Sequence, residues 1–228
     1  MRTTIISIGP TPEFGMHPGN GHMEFVLESN DITDYLKSDT YVDFFSESIQ
    51  RKADELFASL SDEEEKIRVA YEFVRDEIHH SGDIDSDRVT KSASEVLEYQ
   101  EGICIAKSLL LAALLRYGGI PTGFCYQRLT KYDTPDTGYI VHGLNAVYLS
   151  CEKKWMRLDA RGNKENVDAQ FSIHEEKIAF PVRAEYGEVD YPIIYAKPHH
   201  LVMNALEKCK TRSEYNLDSP GTAKEFFS

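Results

Sequence analysis

Several things are scarce or missing in this 228-residue sequence, and each absence narrows what the protein can be. No stretch approaches the 18 or more consecutive apolar residues of a membrane span. The longest apolar run, Leu109 to Leu115, is the length of a buried helix segment. The N-terminal MRTTIISIGPTPEFG makes a poor signal peptide: its apolar run is short, is broken by Pro10, and has no small-residue cleavage site behind it. None of the four cysteines, Cys104, Cys125, Cys151 and Cys209, forms a CxxC pair, which excludes a zinc ribbon and a thioredoxin-type motif. Their wide spread also does not suit the disulfide framework of a small secreted domain, so reduced thiols and a cytoplasmic location are expected. Positive charge is short: 25 Lys and Arg face 38 Asp and Glu, for a net charge of −13. That balance argues against nucleic acid or an anionic membrane surface as a partner. Internal repeats and low-complexity segments are absent as well.

What is present reads as an ordinary globular chain, with 41% hydrophobic and 28% charged residues. Length alone allows one large domain or two small ones, and a single domain over residues 1–228 is expected. The first 21 residues, rich in Gly, Pro and Thr, read as irregular, and His22–Glu28 has strand character. A helical pattern runs from Tyr41 to Leu60, and a second helix follows with Ser61 as N-cap and Glu64 completing a capping box. Ser92–Tyr99 reads as a short capped helix. Cys104 then opens CIAKSLLLAALLRYGGIP, a segment apolar around nearly its whole circumference and therefore a buried helix, stopped by Gly118, Gly119 and Pro121. Beyond it the period changes to that of strands: Thr122–Leu129, then Ile140–Leu149, a turn at SCEKK, and a hairpin partner at Trp155–Asp159. A last helix is expected over Pro198–Lys210, with a polar fraying tail after Thr211.

The chemistry gathers around Cys104. A thiol where a connector enters a helix meets the positive end of the helix dipole and unspent N–H groups, which bias it toward the nucleophilic thiolate. A cysteine ahead of an apolar helix is more often core packing, but two other residues bear on the choice. His142 starts the strand IVHGLNAVYL, and Asp159 ends its hairpin partner WMRLD. Closing the hairpin at SCEKK brings residues 160–162 opposite His142, so Asp159 becomes its cross-strand neighbour. A carboxylate there fixes the imidazole tautomer and leaves the other ring nitrogen for the thiol. The pairs His79-His80 and His199-His200 do not suit a metal ion, since adjacent residues point apart and no second-ligand spacing accompanies them. Lys107 is expected to snorkel to the surface.

The run EGICIAKSLLLAALLRYGGIP resembles the nucleophile segment of the transglutaminase-like superfamily, HGLNAVYL resembles its His segment, and KWMRLDA its Asp segment, all three in the family's order. The resemblance covers roughly residues 65–170 and suggests a bacterial-type stand-alone member with N-terminal (1–64) and C-terminal (171–228) elaborations. It implies an α+β fold of the papain/transglutaminase-like kind, a buried nucleophile helix packed on an antiparallel sheet. It also implies amide chemistry through a thioester, as a hydrolase or an acyl transferase, on a peptide, an amide or a protein. Cys104 would be the nucleophile, His142 the base and acid, and Asp159 the orienter. Gln100 and the backbone N–H of Cys104 are the oxyanion candidates, and Tyr126, Arg128 and Tyr139 the substrate contacts. The sequence departs from relatives at Ile105, Leu144, Ala160 and Arg161. No cofactor and no metal is expected. The alternative is a non-catalytic binding or scaffold module that keeps the fold.

Overall fold

The computed structural model describes residues 24–132 and 134–218. Its elements run β1 (Val26–Leu27), α1 (Glu47–Phe57), α2 (Glu63–Asp76), β2 (His79–His80), α3 (Ala93–Tyr99), β3 (Glu101–Gly102), α4 (Cys104–Tyr117), β4 (Thr122–Thr130), β5 (Tyr139–Leu149), β6 (Lys154–Leu158), β7 (Val189–Asp190), β8 (Ile193–Ile194), α5 (His200–Lys208) and α6 (Arg212–Asp218). The fold is α+β. An antiparallel sheet in the order β6-β5-β4-β7 lies against α4, and two small parallel pairs, β1-β8 and β2-β3, flank it.

The central helix explains the arrangement. Every residue of α4 from Ile105 to Arg116 is buried. Helices α1, α2 and α3 pack on it, as do β4 and β5. Leu109, Leu110, Leu111, Leu114 and Leu115 are fully buried, which at the usual transfer energies stabilises the fold by on the order of 10 kcal/mol. Packing of this size holds the helix without help from its start: the N-cap residue Ile103 makes no side-chain cap bond. The first-turn N–H groups of α4 therefore stay available for other work.

Close approach sets where β5 meets that helix. At Gly143 an added Cβ would collide with Ile105 Cδ1 and lie 3.4 Å from Ile105 Cα, so any larger residue requires the Ile105 side chain to move. Two residues on, Asn145 Nδ2 donates to Ser108 O (3.1 Å) and to Gly123 O (3.2 Å), tying β5 to both α4 and β4. These contacts bring the start of β5 to the N-terminal end of α4.

Several boundaries differ from the sequence reading, each for a local reason. The first long helix begins at Glu47 rather than near Tyr41, because Ser46 caps it and accepts from Ile49 N–H. Asp62, not Ser61, caps α2: its Oδ1 accepts from Glu65 N–H at 2.9 Å. The last expected helix starts after His199, whose ring nitrogen accepts from Leu201 N–H, so Pro198 precedes the cap instead of opening the helix. Arg212–Asp218 form a further helix where a frayed tail was expected. Of the expected strand at His22–Glu28, residues 24–28 are described and Val26–Leu27 pair among them, while residues 1–23 and the last ten lie outside the described residues. Lys107 does not reach the surface. It is fully buried, and its ammonium donates to the carbonyls of Arg75 and Ile78 at the end of α2.

Candidate active site

Cys104 is the first residue of α4 and is half-buried. The ladder of β4 on β5 sets Gln127 opposite His142, and the ladder of β5 on β6 sets Asn145 opposite Leu158. Continuing that second register puts Asp159 one diagonal step from His142, and the side chains meet. His142 Nε2 lies 2.8 Å from Asp159 Oδ2. Both residues are buried, at 2% and 1% exposure. Asp159 is held on both oxygens: Oδ2 also accepts from Ala179 N–H (3.0 Å), and Oδ1 accepts from Arg161 N–H (3.2 Å). With Nε2 spent on the carboxylate, the other imidazole nitrogen is left for the Cys104 sulfur, which lies close enough for the two groups to shift each other's titration. Phe180 stands edge-on to the His142 ring at 5.1 Å between centroids and shields the imidazole–carboxylate bond from water.

Charge follows from this geometry. Burial alone would push the Cys104 thiol up, but the neighbouring His142 charge and the hydrogen bonds from His142 and His80 outweigh it and hold the thiol well below its ordinary value. Burial would push His142 down, yet Asp159 and the Cys104 sulfur hold it well above the usual imidazole range. Burial likewise works against ionised Asp159, and the His142 charge with three hydrogen bonds keeps its carboxyl below the usual carboxylate range. Both shifts favour thiolate and imidazolium for the pair near neutrality.

The other residues singled out in the sequence scatter. Gln100 is exposed at the left-handed C-cap of α3 (φ 52°), where its carbonyl receives His79 N–H at 2.9 Å. Tyr126 is buried in the core and packs on Tyr195, and its hydroxyl oxygen accepts from His199 N–H at 2.9 Å. Arg128 lies over the Tyr139 ring at 4.8 Å and donates to Gly187 O, while Tyr139 Oη donates to Tyr186 O at 2.8 Å. The last two thus tie β4 and β5 to the turn at 184–187. Cys125 is buried in the sheet and Cys151 is exposed in the hairpin turn.

Three contributors were missed in the sequence. Ala179 and Phe180 arrive from a loop with no motif of its own. His80, dismissed with its neighbour as half of a poor metal pair, sits beside the sulfur. On the His80 side lies a cleft of about 210 Å³, lined by His79, His80, Asp83, Arg75 and Gly162 among others. Its walls are joined by the guanidinium of Arg161 and the ammonium of Lys164, which both bind the Asp83 carboxylate.

Residues 50–160 match the transglutaminase-like superfamily. The match covers just under half of the chain. None of the curated proteins matches this sequence. Among solved structures, a protein of Cytophaga hutchinsonii described as a candidate cysteine protease is 20% identical, with a TM-score of 0.48 over 58% of this chain and 43% of that one. The periplasmic domain of TgpA from Pseudomonas aeruginosa is 16% identical, with a TM-score of 0.43 over 58% of this chain and 48% of that one. A structure described as a TGase is 17% identical, with a TM-score of 0.40 over 64% of this chain and 42% of that one. The chain spans less than half the length of each of these proteins. Among the described residues, no helix of this core or its flanks is long and apolar enough to cross a membrane.

Proposed function

We propose that this protein is a cysteine-dependent enzyme that cleaves or transfers amide groups through an acyl-thioenzyme. The observation that carries the reading is the buried His142–Asp159 bond, electrostatically coupled to Cys104 at an uncapped helix start. In the first half-reaction the Cys104 thiolate forms a bond to the carbonyl carbon, and the carbonyl π pair moves to oxygen. His142 then gives its proton to the leaving amine as the C–N bond breaks, which leaves a thioester and a neutral imidazole. In the second half-reaction that imidazole takes a proton from water or from an acceptor amine as it attacks. Expulsion of the thiolate restores the starting state and releases an acid or a new amide. Asp159 orients the ring throughout and keeps its positive form stable.

The described residues, flanks included, are read as one domain whose loop at 176–180 completes the site. The four free thiols suit a reducing cytoplasmic compartment. Peptide and protein amides are the substrates proposed, entering by the cleft beside His80.

Alkylation with iodoacetamide, followed residue by residue by mass spectrometry, tests the reading without a known substrate. Cys104 should react much faster than Cys151 near neutral pH, although Cys151 is the more exposed of the two. Equal rates would remove the activated thiol and leave a binding module as the better account.

A further inference from the structure

We propose that His80 is a second catalytic imidazole: its Nε2–H donates to the Cys104 sulfur at rest and to the oxyanion once that sulfur has attacked a carbonyl. The inference rests on the acyl-thioenzyme reading above and assigns the donor that reading leaves open.

Position comes first. Strand β2 pairs in parallel with β3, with His80 opposite Gly102, two residues before the nucleophile. His79 N–H donates to Gln100 O at 2.9 Å and Ser81 N–H to Gly102 O at 3.1 Å, so two rungs on either side of His80 fix its backbone against the segment that enters α4. The His80 side chain lies close enough to the Cys104 sulfur for each to shift the other's titration.

The tautomer follows from the next turn. Gly82 N–H donates to His80 Nδ1 at 3.2 Å. A nitrogen that accepts carries no proton in the neutral ring, so the proton is on Nε2, and Nε2 is the atom left to face sulfur. The turn also packs tightly on the ring: a Cβ at Gly82 would lie 3.2 Å from Nδ1 and 3.3 Å from Cε1.

Chemistry then separates the two imidazoles. Burial holds His80 below its ordinary value and the Arg161 charge pushes the same way, against the opposing sulfur and Asp83. His80 therefore stays a neutral donor, while His142, paired with Asp159, carries the mobile proton. A neutral N–H beside the thiolate stabilises negative charge without discharging it. When sulfur bonds to the carbonyl carbon, the new oxyanion forms one bond away from that carbon, within the same small space. The donors this proposal assigns to it are His80 Nε2–H and the first N–H groups of α4, which the N-cap side chain leaves uncapped. Gln100, the side chain expected for this task, is exposed at the left-handed cap of α3 and contributes its carbonyl to the β2 backbone instead.

Two probes of the full-length protein test the assignment: p-nitrophenyl acetate, whose attack creates an oxyanion, and iodoacetamide, whose displacement does not. For His80→Ala, acylation by the ester should fall by about 10²–10³-fold. Alkylation of Cys104 at neutral pH should fall by less than about tenfold, because His142 still holds the thiolate. His80→Gln, which keeps an N–H donor, should recover part of the acylation rate, and both variants should keep the wild-type circular dichroism spectrum. Equal losses with the two probes, no loss with either, or a wild-type thiol that alkylates rapidly but is never acylated would each overturn the oxyanion role. A wild-type Cys104 that alkylates no faster than Cys151 would instead bring down the enzyme reading itself.

Discussion

At the scale of single residues, the site is defined by what Asp159 holds. Its two oxygens accept from His142, Ala179 and Arg161, and none of those partners is exposed enough for water to take its place. Asp159→Ala leaves a buried imidazole and two buried N–H groups unpaired, and should cost about 3–5 kcal/mol in urea unfolding. Asp159→Asn should cost less in stability and still slow ester turnover by about 10²–10⁴-fold, since the amide can orient the ring wrongly and cannot balance its charge. An alanine variant as stable as the wild type would contradict this account. The thiol makes a pH prediction whose sign follows from its depressed value. Cys104 is thiolate wherever pH exceeds that value, so its alkylation rate should reach half its plateau well below the ~8.5 of a free cysteine and stay flat through neutrality. His142→Ala should return the midpoint toward that ordinary value, as measured by alkylation between pH 4 and 10.

At the scale of elements, helix α4 carries both the core and Cys104, the proposed nucleophile, and Lys107 shows the strain of combining them. Its ammonium caps the carbonyl end of α2 from within the core. Burial, assisted by the Arg161 charge and opposed by Asp159, Asp83 and Asp76, brings it down to about 7. An unfolded lysine titrates near ~10.4, so between the two values the unfolded chain binds more protons and stability rises with pH. Below the folded value the whole penalty is present. Lys107→Met removes the penalty along with two hydrogen bonds. The stability of that variant relative to wild type should improve as pH falls from about 10 to about 7 and level off below. Urea melts across that range would show it, and a difference independent of pH would mean that Lys107 stays charged in the fold.

At the scale of the whole molecule, the core at 50–160 is completed by chain that follows it. Arg157 on β6 is 4% exposed and binds Glu176 through Nε and Nη2 and Asp190 through Nη1 and Nη2, all at 2.6 to 2.8 Å. That knot anchors the loop whose Ala179 N–H and Phe180 ring cover the His142–Asp159 pair. Arg157→Ala should cost about 1–3 kcal/mol, because it removes the charged partner of the mostly buried Asp190, while Glu176 stays open to solvent. It should also slow Cys104 alkylation although no catalytic group is touched. Unfolding and labelling on one sample test both halves, and an unchanged labelling rate would uncouple the loop from the site.

The sequence by itself determined the parts that depend on neighbours along the chain. An all-round apolar run specifies a buried helix, Gly-Gly-Ile-Pro its end, and alternation around a short turn the β5–β6 hairpin. Because a hairpin register follows from its turn, the meeting of His142 with Asp159 could also be read in advance. Tertiary structure alone decided what depends on residues distant in sequence. It turned Lys107 inward, because the end of α2 needed donors there. It brought Ala179 and Phe180 over the imidazole from a loop without pattern. It set His80 beside the sulfur through a two-residue parallel pairing too short to leave a periodic signal. Local pattern encodes which face a side chain takes on its own element; which partner it meets across a loop closure is set only when the packed core selects one closure among many.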